Sequence, residues 1–362
     1  MNARLASNGL EVILSYKGET DRLQAKTYPF GAEEYFAQFA AMHLLGPRMP
    51  RKIYSDFPIA KPMQVLIGKM YKSEGRTPPE IHCRSYNPLH SRSTSSRKAV
   101  VSFSAGKDSL WNLMNAQKRY GAENVLAVHI AGLNKSNGSD ERKYAIRQSK
   151  KFGFDLEVLE LKNGSAGGNY KVMVSRDMFL TGILIPYAHG FGAAHIWTEG
   201  FGETSDLALF TGQEDNMKMF NDVLRKLGLG VRVKWKNRSE MSVIRDMYEQ
   251  EPDWMKEVCN CFSANCFKAA HRKNMQKKLP SFRLYDSQCG VCLKCRTVNI
   301  GRILWEPGFR ADDEDVRAYI KSTENWLFSN STNARHRDII TESFKNAIRR
   351  AAMKNRVVLK KL

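Results

Sequence analysis

AVVSFSAGKDS, residues Ala99–Ser109, carries the strongest structural signal in the sequence. An apolar run over Val100–Phe103 gives way to small residues, and a helical apolar pattern follows as far as Gly121. This order predicts a strand, a tight turn and the start of a helix. Because such a turn presents unpaired backbone N–H groups at the positive end of a helix dipole, it predicts a binding site for an anion such as phosphate.

The side chains around this turn also suit a phosphate. Lys107 adds a mobile positive charge, and Ser104 and Ser109 add hydroxyl donors. The carboxylate of Asp108 fits such a site if it holds Mg²⁺ or caps the loop. The loop is not a Walker A motif, since G-x-x-x-x-G-K-[ST] is absent. We expect a bound nucleotide to contact the residues from the strand end to the helix start: Ser102, Ser104, Ala105, Gly106, Lys107, Asp108 and Ser109.

The length of 362 residues leaves room for one large or two modest domains. A content of 42% hydrophobic and 26% charged residues is ordinary for a globular protein. The N-terminus enters mixed polar sequence directly, so we expect no signal peptide and a cytoplasmic location. The most apolar stretch, Phe179–Trp197, contains Pro186 and several glycines, which predicts a buried helix, a turn and a strand rather than a membrane span.

The chain is strongly basic. Its net charge is +20, from 57 Lys and Arg residues against 37 Asp and Glu residues. This surplus suits polyanionic ligands, namely nucleic acid, nucleoside triphosphates or an acidic partner protein. Basic surfaces also occur without any such partner, so the charge alone does not choose among these ligands.

Residues 1–95 have the pattern of a small α+β module, and Pro88–Lys98 has the Ser/Arg-rich composition of a linker. No catalytic pattern is present in this module. Its expected roles are recognition of a partner or of a macromolecular substrate, or formation of a homodimer. We predict a helix over Ala32–Leu45, and strands over Leu10–Tyr16 and Leu23–Tyr28, near Met63–Tyr71 and over Glu80–Arg84.

Residues 96–258 alternate between strand and helix patterns, which predicts a parallel sheet with helices on both faces. After the first strand, further strands are predicted over Val125–Ile130, Leu156–Leu161, His195–Thr198 and Val231–Trp235. The predicted helices are Asp140–Phe152, residues 173–189, Glu214–Leu227 and Ser239–Tyr248.

In open parallel sheets, ligands bind at the carboxyl ends of the strands. We therefore expect site residues in the loops His129–Asn134 and Glu199–Asp206, and His129 as a nucleotide contact. For His129, a strand end without any ligand role is the alternative. Arg176 starts a predicted helix, where its charge opposes the helix dipole, and this favours an anionic ligand.

Six of the seven cysteines lie between residues 259 and 295, which indicates metal binding rather than disulfides in a chain without an export signal. Cys289, Cys292 and Cys295 have the spacing C-x₂-C-x₂-C, so one segment can provide three corners of a tetrahedron. Four protein ligands would leave no position for water, so we expect a structural Zn²⁺, with an iron–sulfur cluster as the alternative. The candidates for the fourth thiolate are Cys259, Cys261 and Cys266.

The zinc segment is expected over residues 259–310, and a basic helical region over residues 311–362. In the latter, an apolar stripe has basic residues outside it, and the stripe consists of Ile340, Phe344, Ala347, Ile348 and Ala351. Such a helix packs on the protein and leaves its charged face in solvent, or it uses that face to bind nucleic acid or a partner protein.

The segment S-A-G-K-D-S, Ser104–Ser109, resembles the PP-loop, S-G-G-x-D-S, of ATP pyrophosphatases, which cleave ATP to AMP and pyrophosphate. Ala105 stands where this family usually has glycine, and alanine fits there if its φ is negative. A PP-loop domain that ends in a lone cysteine and then C-G-x-C-x-x-C resembles the 7-cyano-7-deazaguanine synthase (QueC) family. The resemblance covers about residues 98–302 and implies a Rossmann-like, adenine nucleotide alpha hydrolase-like fold.

The resemblance also assigns residues. Trp235–Glu240 is similar to the family's W-x-x-K-A-E run, with Arg238 in place of lysine, and counting forward from it favours Cys261 as the fourth metal ligand, with Cys266 second. Arg176-Asp177 is similar to the family's R-N pair. The substrate contacts implied are Arg176, Gly200, Glu203 and Asp206.

The chain departs from the family pattern in several places. Ala131–Lys135 replaces a tyrosine-glycine-glutamine segment, and Val298 stands where an arginine is expected. The insertion before Cys289 is long, and the first 95 residues are additional. These departures indicate a specialised member, similar to QueC-like proteins with added N-terminal modules in bacterial antiviral defence systems, for which attachment of a deazaguanine to a protein has been proposed.

The activity implied is ATP-dependent ligation. A 7-deazaguanine carboxylate attacks the α-phosphate of ATP, pyrophosphate leaves, and an amine then displaces AMP. Lys107, Asp108 and Ser109 would be the catalytic residues, with ATP, Mg²⁺ and Zn²⁺ bound. The acceptor is ammonia, giving an amide or nitrile, or an amine of a protein partner. A tRNA-modifying PP-loop enzyme, of the thiolase or lysidine synthase type, and an inactive nucleotide-binding scaffold are the alternatives.

Overall fold

The computed structural model describes the chain in segments that together form an α/β structure with a mostly parallel sheet. The described residues are 2–29, 31–73, 75–84, 94–132, 138–163, 173–198, 213–235, 238–259, 261, 265–329 and 342–362.

The strands of these segments belong to a ten-stranded sheet. They are β1 (Asn2–Asn8), β2 (Glu11–Tyr16), β3 (Glu19–Ala25), β4 (Lys52–Ser55), β5 (Glu80–His82), β6 (Ser95–Ser102), β7 (Val125–Ala131), β8 (Leu156–Asn163), β9 (Ala193–Thr198) and β10 (Arg232–Trp235). Across the sheet their order is β10-β9-β6-β7-β8-β3-β2-β1-β4-β5.

The helices lie between the strands and after the last of them. They are α1 (Glu33–Arg48), α2 (Lys61–Ser73), α3 (Lys107–Tyr120), α4 (Gly138–Phe152), α5 (Met173–Gly182), α6 (Ile185–Phe191), α7 (Gln213–Lys226), α8 (Glu240–Gln250), α9 (Pro252–Lys256), α10 (Asn265–Lys278), α11 (Leu293–Trp305), α12 (Asp313–Leu327) and α13 (Glu342–Lys354).

The central strand of the parallel part is β6. It pairs in parallel with β7 on one side and with β9 on the other, so that Val101 lies opposite both Ala127 and Trp197. The chain continues outward from β7 to β8, and then returns across β6 to β9 and β10. Such a reversal of strand order opens a crevice at the carboxyl ends of the two strands that flank it. The loop after β6 lies at this switch point.

The N-terminal strands extend the same sheet. β3 pairs antiparallel with β8, with Leu23 opposite Asn163 and Ala25 opposite Leu161. Just beyond this pairing, the backbone N–H of Lys26 donates to the carbonyl of Glu160 at 2.9 Å. The first 84 residues are therefore joined to the parallel strands by backbone hydrogen bonds.

One face of the sheet is covered by α1, α2, α5, α6 and α7, which share a single apolar core. Phe36 of α1 meets Phe179 of α5 edge to face, with ring centroids 6.4 Å apart. Phe39 of α1 packs at 6.0 Å against Phe220 of α7. The N-terminal helices thus bury their apolar side against helices of the parallel half.

The opposite face is covered by α3, α4, α8 and the C-terminal helices. Its core contains fully buried aromatic side chains from elements distant in sequence, such as Tyr248 of α8, Tyr319 of α12 and Phe344 of α13. The described part of the apolar stripe predicted for the C-terminal region is buried here, since Ala347, Ile348 and Ala351 are all in this core. Ile340 lies outside the described residues. The described residues of the C-terminal region, 311–329 and 342–362, therefore belong to the same folded unit as β6.

Three details of the sequence-based prediction need correction. The strand predicted near Met63–Tyr71 is the helix α2, and its buried residues have helical spacing: Met63, Leu66, Ile67, Met70 and Tyr71. The helix predicted over residues 173–189 is interrupted after Gly182, and Pro186 lies in the first turn of α6. The last residues of the predicted linker, Ser95–Lys98, belong to β6, whereas residues 88–93 lie outside the described residues.

No helix among the described segments combines the length and the apolar character that a membrane span requires.

The contact between α1 and α5 can be tested at Gly182. A Cβ atom on this residue would clash with the ring of Phe39, which is fully buried. We expect Gly182→Ala to lower the free energy of unfolding by about 1–3 kcal/mol through overpacking. Urea denaturation followed by circular dichroism would measure the loss.

Gly190→Ala in α6 is the matched control, because nothing lies within 4 Å of its added Cβ. It should leave the stability unchanged or raise it by up to about 1 kcal/mol, since alanine favours helix. Equal stability of the two variants would contradict the packing of α1 on α5.

Candidate functional site

The turn after β6 is held in an unusual backbone conformation. Ala105 has φ +61°, in the left-handed region that favours glycine. The expectation that alanine fits through a negative φ is therefore wrong. Its carbonyl accepts hydrogen bonds from the backbone N–H of Cys259 at 2.9 Å and from Nε2 of Gln148 at 3.1 Å. These contacts, with a side chain that is fully buried, offset the roughly 1–2 kcal/mol cost of this conformation.

The hydroxyl groups of the loop form a small network around the start of α3. Oγ of Ser109 donates to the carbonyl of Gly106 at 3.0 Å, and the N–H of Gly106 lies 3.3 Å from Oγ of Ser104. The two serine oxygens are 3.2 Å apart. The first N–H groups of α3 have no partner within the helix, as at any helix start. Donors of two kinds, hydroxyl and amide, thus converge at the switch point.

Lys107 is almost completely buried, with 3% of its surface exposed. Its Nζ atom lies 2.6 Å from Oδ2 of Asp108 and 3.0 Å from Oε1 of Glu240. Burial alone would lower the pKa of this ammonium, but the two carboxylates outweigh burial and raise it above its ordinary value. Lys107 is therefore a positive charge kept at a fixed position beside the loop.

Glu240 is the site residue that sequence reasoning did not assign. It begins α8, where Oγ of Ser239 caps the helix by accepting from the N–H of Ser242 at 3.1 Å. Its Oε1 atom also accepts a hydrogen bond from Oγ1 of Thr297 at 3.4 Å. The only sequence signal for Glu240 is its place at the end of the Trp235–Glu240 run, since its contact with Lys107 joins distant parts of the chain.

His129 lies one strand away, near the carboxyl end of β7. Its Nδ1 donates to the carbonyl of Phe103 at 2.8 Å, which leaves the buried Nε2 as an acceptor with no partner among the described residues. Burial lowers the pKa of this imidazole, while the hydrogen bond to Phe103 acts in the opposite direction. The imidazole therefore connects the carboxyl ends of β6 and β7 through its hydrogen bond to Phe103. Its contact with a nucleotide remains a prediction.

Asn112, one turn into α3 beyond the loop, is a second buried polar group. Its side chain is fully buried, and neither atom of its amide has a partner in the part of the chain that the structure describes. Buried amides are nearly always hydrogen-bonded. The amide of Asn112 is therefore a candidate to bind a polar group of a ligand or a water molecule, and it lies on the same helix as Lys107. Ser102, the other predicted contact, ends β6 and is half-buried.

The predicted substrate contacts are only partly described. Arg176 is in α5, and its guanidinium donates two hydrogen bonds to Oδ1 of Asp177, at 2.8 and 3.0 Å. It also lies near His43 of α1, whose pKa falls to about 3, mainly through burial and partly through this arginine. Gly200, Glu203 and Asp206 lie outside the described residues.

Four cysteine sulfurs form a compact group that could hold a metal ion such as zinc. Cys261, Cys289, Cys292 and Cys295 have Sγ atoms within 4.8 Å of one another. The Cys261–Cys292 and Cys289–Cys295 distances are 3.9 and 3.8 Å. A tetrahedral Zn²⁺ with bonds of about 2.3 Å requires sulfurs about 3.8 Å apart. The donor set therefore fits zinc, and the fourth position is the one that the sequence favoured.

The other two candidates for the fourth ligand have different positions. Cys259 uses its backbone N–H to bind the carbonyl of Ala105, and its thiol is not part of the four-sulfur group. The side chain of Cys266 lies outside the described residues.

The cysteine group is linked to the loop along two routes. The first runs from Cys261 back to Cys259, which holds the carbonyl of Ala105. The second follows α11 from Cys295 to Thr297, which contacts Glu240 and through it Lys107. A metal ion bound by the four sulfurs would therefore fix both segments that lie behind the loop.

Arg296 and Arg302, on either side of Val298 in α11, make contacts that support the fold. Arg296 donates from Nη1 to Oγ1 of Thr323 at 2.9 Å, and Arg302 donates from Nε to Glu306 at 2.8 Å. Both are buried in the packing around α11. They join the metal segment to the helices that follow it.

No protein-family model matches the sequence, and no curated protein matches it. The chemistry of the site is therefore inferred from its motifs and its geometry.

Replacement of Cys261 tests the metal site. We expect the purified chain to contain one zinc ion per molecule and Cys261→Ser to lower its zinc affinity strongly, since only three thiolates remain. Elemental analysis after dialysis against a chelator gives the metal content, and thermal unfolding should show a lower Tm for the variant.

Cys259→Ser is the matched control, because this residue is two positions away, is not part of the four-sulfur group, and keeps its backbone hydrogen bond to the loop after the substitution. It should retain zinc and the wild-type Tm. Iron in place of zinc, or equal metal loss in both variants, would contradict the assignment of Cys261.

Proposed function

We propose that this chain is an ATP-dependent ligase of the 7-cyano-7-deazaguanine synthase-like type. It adenylates a 7-deazaguanine carboxylate, releases pyrophosphate, and transfers the acyl group from AMP to an amine. The observation that carries the proposal is the backbone of Ala105, which takes a glycine-type conformation at the position where PP-loops have glycine. The loop also begins α3 at the switch point of the sheet, where nucleotides bind in open α/β folds.

The loop residues would act on the pyrophosphate leaving group. As the bond from the α-phosphate to the β-phosphate breaks, negative charge develops on the departing oxygens. The N–H groups of the loop, the hydroxyls of Ser104 and Ser109, and the ammonium of Lys107 would stabilise this charge. One donor held ready in this way is worth about 2.7–4 kcal/mol in the transition state.

Asp108 and Glu240 would hold Mg²⁺, which offsets the phosphate charge and orients the oxygens of ATP. Both carboxylates pair with Lys107. A buried ammonium needs such anionic partners, and the phosphates of ATP can take over this role. Lys107 would thus exchange a carboxylate for a phosphate as the substrate binds.

The acceptor amine defines the product. Ammonia would give an amide, which a second activation dehydrates to a nitrile, whereas a protein amine would give a conjugate. The reaction needs no nucleophilic side chain, because the bound carboxylate attacks ATP directly and proximity supplies much of the rate.

The proposal predicts release of AMP and pyrophosphate from ATP in the presence of 7-carboxy-7-deazaguanine and an ammonium salt. Lys107→Met should reduce AMP release about 100- to 1000-fold, as expected for loss of one transition-state donor. Chromatographic measurement of AMP over time would test this. Mass spectrometry after co-expression with proteins of neighbouring genes would detect a deazaguanine-sized adduct.

Lys118→Met is the matched control, since this lysine is on the same helix and bonds the exposed side chain of Gln250. It should leave AMP release unchanged. Absence of AMP with every acceptor, or full activity of Lys107→Met, would refute the ligase assignment.

Glu240→Gln tests the assigned metal role of this residue. Glutamine preserves the size of the side chain and an oxygen for Thr297, but it removes the charge. We expect the Mg²⁺ concentration for half-maximal AMP release to rise several-fold, because one carboxylate ligand is lost. Glu249→Gln, at an exposed position of the same helix, should have no effect. Unchanged Mg²⁺ dependence in Glu240→Gln would assign Glu240 to positioning Lys107 alone.

A further inference from the structure

The outer surfaces of α4 and α10 together form a basic strip, defined by Lys143, Arg147, Lys268, Arg272, Lys273 and Lys277. Tyr144 joins the two helices. Its ring centroid lies 5.0 Å from Cζ of Arg147 and 5.9 Å from Nζ of Lys268. A cavity of about 610 Å³ runs along α10, and its lining consists of Lys268, Ala269, Arg272, Lys273, Gln276, Lys277 and Asp286.

The positive charge of α10 is not offset by any acidic residue of the same helix. Its sequence, NCFKAAHRKNMQKK, contains no aspartate or glutamate. Lys268 and Arg272 are four residues apart, and so are Lys273 and Lys277. Like charges at this spacing repel each other and destabilise a helix, whereas exposed helices commonly pair opposite charges there. An anionic ligand outside the helix would remove this repulsion.

Two carboxylates that contact the basic strip, Glu257 and Asp286, are already paired. Glu257 is held by Arg147 and, at 2.7 Å, by Lys151, and Asp286 pairs with Arg272 at 2.8 Å. Lys273 and Lys277 are exposed and form no ion pair within the described segments. The strip thus keeps uncompensated positive charge next to a groove.

Two of the basic residues of α13, Lys345 and Arg349, provide a contrast. Lys345 pairs with Glu342 at 2.6 Å, and Arg349 lies 3.9 Å from the same carboxylate and donates to Asn346 at 2.7 Å. An ordinary solvated face has such local partners. The two helices have similar lengths and basic character, but only α10 lacks an acidic residue of its own.

The chemistry of the strip favours nucleic acid among polyanions. A membrane surface would require large apolar side chains on the exposed side, where α10 has Ala269, Ala270 and Asn274. A protein interface would require an apolar centre poor in lysine. Phosphodiester groups require only repeated cationic donors along a line, and fourteen residues of helix extend over about 21 Å.

We propose that the basic strip binds nucleic acid through its phosphate groups. The strip is close to the loop, since Gln148, next to Arg147 in α4, donates to the carbonyl of Ala105. Bound nucleic acid would therefore lie on the outer side of the helix whose inner side supports the turn after β6. This interaction surface does not depend on the ligase assignment.

Fluorescence anisotropy with the full-length chain tests the proposal. The probes are a labelled 20-nucleotide RNA, a DNA of the same sequence, and the RNA in duplex form, each at several salt concentrations. We expect the logarithm of the association constant to fall linearly with the logarithm of the salt concentration. For the single strands, the double variant Lys273→Gln, Lys277→Gln should reduce the slope by about 1.4, or about 0.7 for each lost phosphate contact.

The matched control removes the same charge elsewhere, with Lys345→Gln and Arg349→Gln in α13. Its affinity and salt slope should equal those of the unchanged chain, and thermal unfolding of both variants should show that they are folded. Equal losses in the two double variants would show a general effect of net charge and overturn the proposal. Stronger binding to polyglutamate or to anionic phospholipid vesicles than to nucleic acid would also overturn it.

Discussion

The left-handed turn at Ala105 is the constraint on which the rest of the site depends. A non-glycine residue stays in this conformation only when its surroundings fix it, and here the carbonyl of Ala105 is held by both Gln148 and Cys259. These two residues come from α4 and from the segment that leads to Cys261. The turn between β6 and α3 is thus held by segments that come later in the sequence. Its direction places the start of α3, and with it Lys107, at the switch point.

Much of the parallel half could be predicted from sequence, because its strands are short apolar runs bounded by polar or glycine-containing turns. β7, β9 and β10 lie within two residues of their predicted bounds. The N-terminal part was harder to predict. In α2, Val65 interrupts the buried set and is 44% exposed, so a local apolar run concealed helical spacing. The pairing of β3 with β8 depends on tertiary contacts that no local pattern indicates.

The candidate site likewise has features that local sequence predicts and features that depend on tertiary contacts. The loop residues and three cysteines form contiguous motifs, so their closeness in the structure could be predicted from spacing alone. Glu240 could not, because its importance comes from one contact with Lys107 across the core. The φ of Ala105 could not be predicted either, since it results from two hydrogen bonds to distant residues. Sequence thus predicts which groups are present, whereas their charge balance depends on how distant elements pack.

The buried Lys107 and the exposed Lys273 and Lys277 differ in whether they are paired with carboxylates within the described segments, and their access to water explains the difference. Lys107 is nearly inaccessible to water, and an unpaired ammonium there would lose its hydration without compensation, so it is paired with two carboxylates. Lys273 and Lys277 are exposed, and water solvates their charges at little cost. On the proposed function, a phosphate of ATP would replace an existing anionic partner of the buried lysine, and this requirement would make the site selective for a well-placed phosphate. A ligand on the basic strip displaces only water and counterions, so binding there should depend on the number of phosphates and on salt.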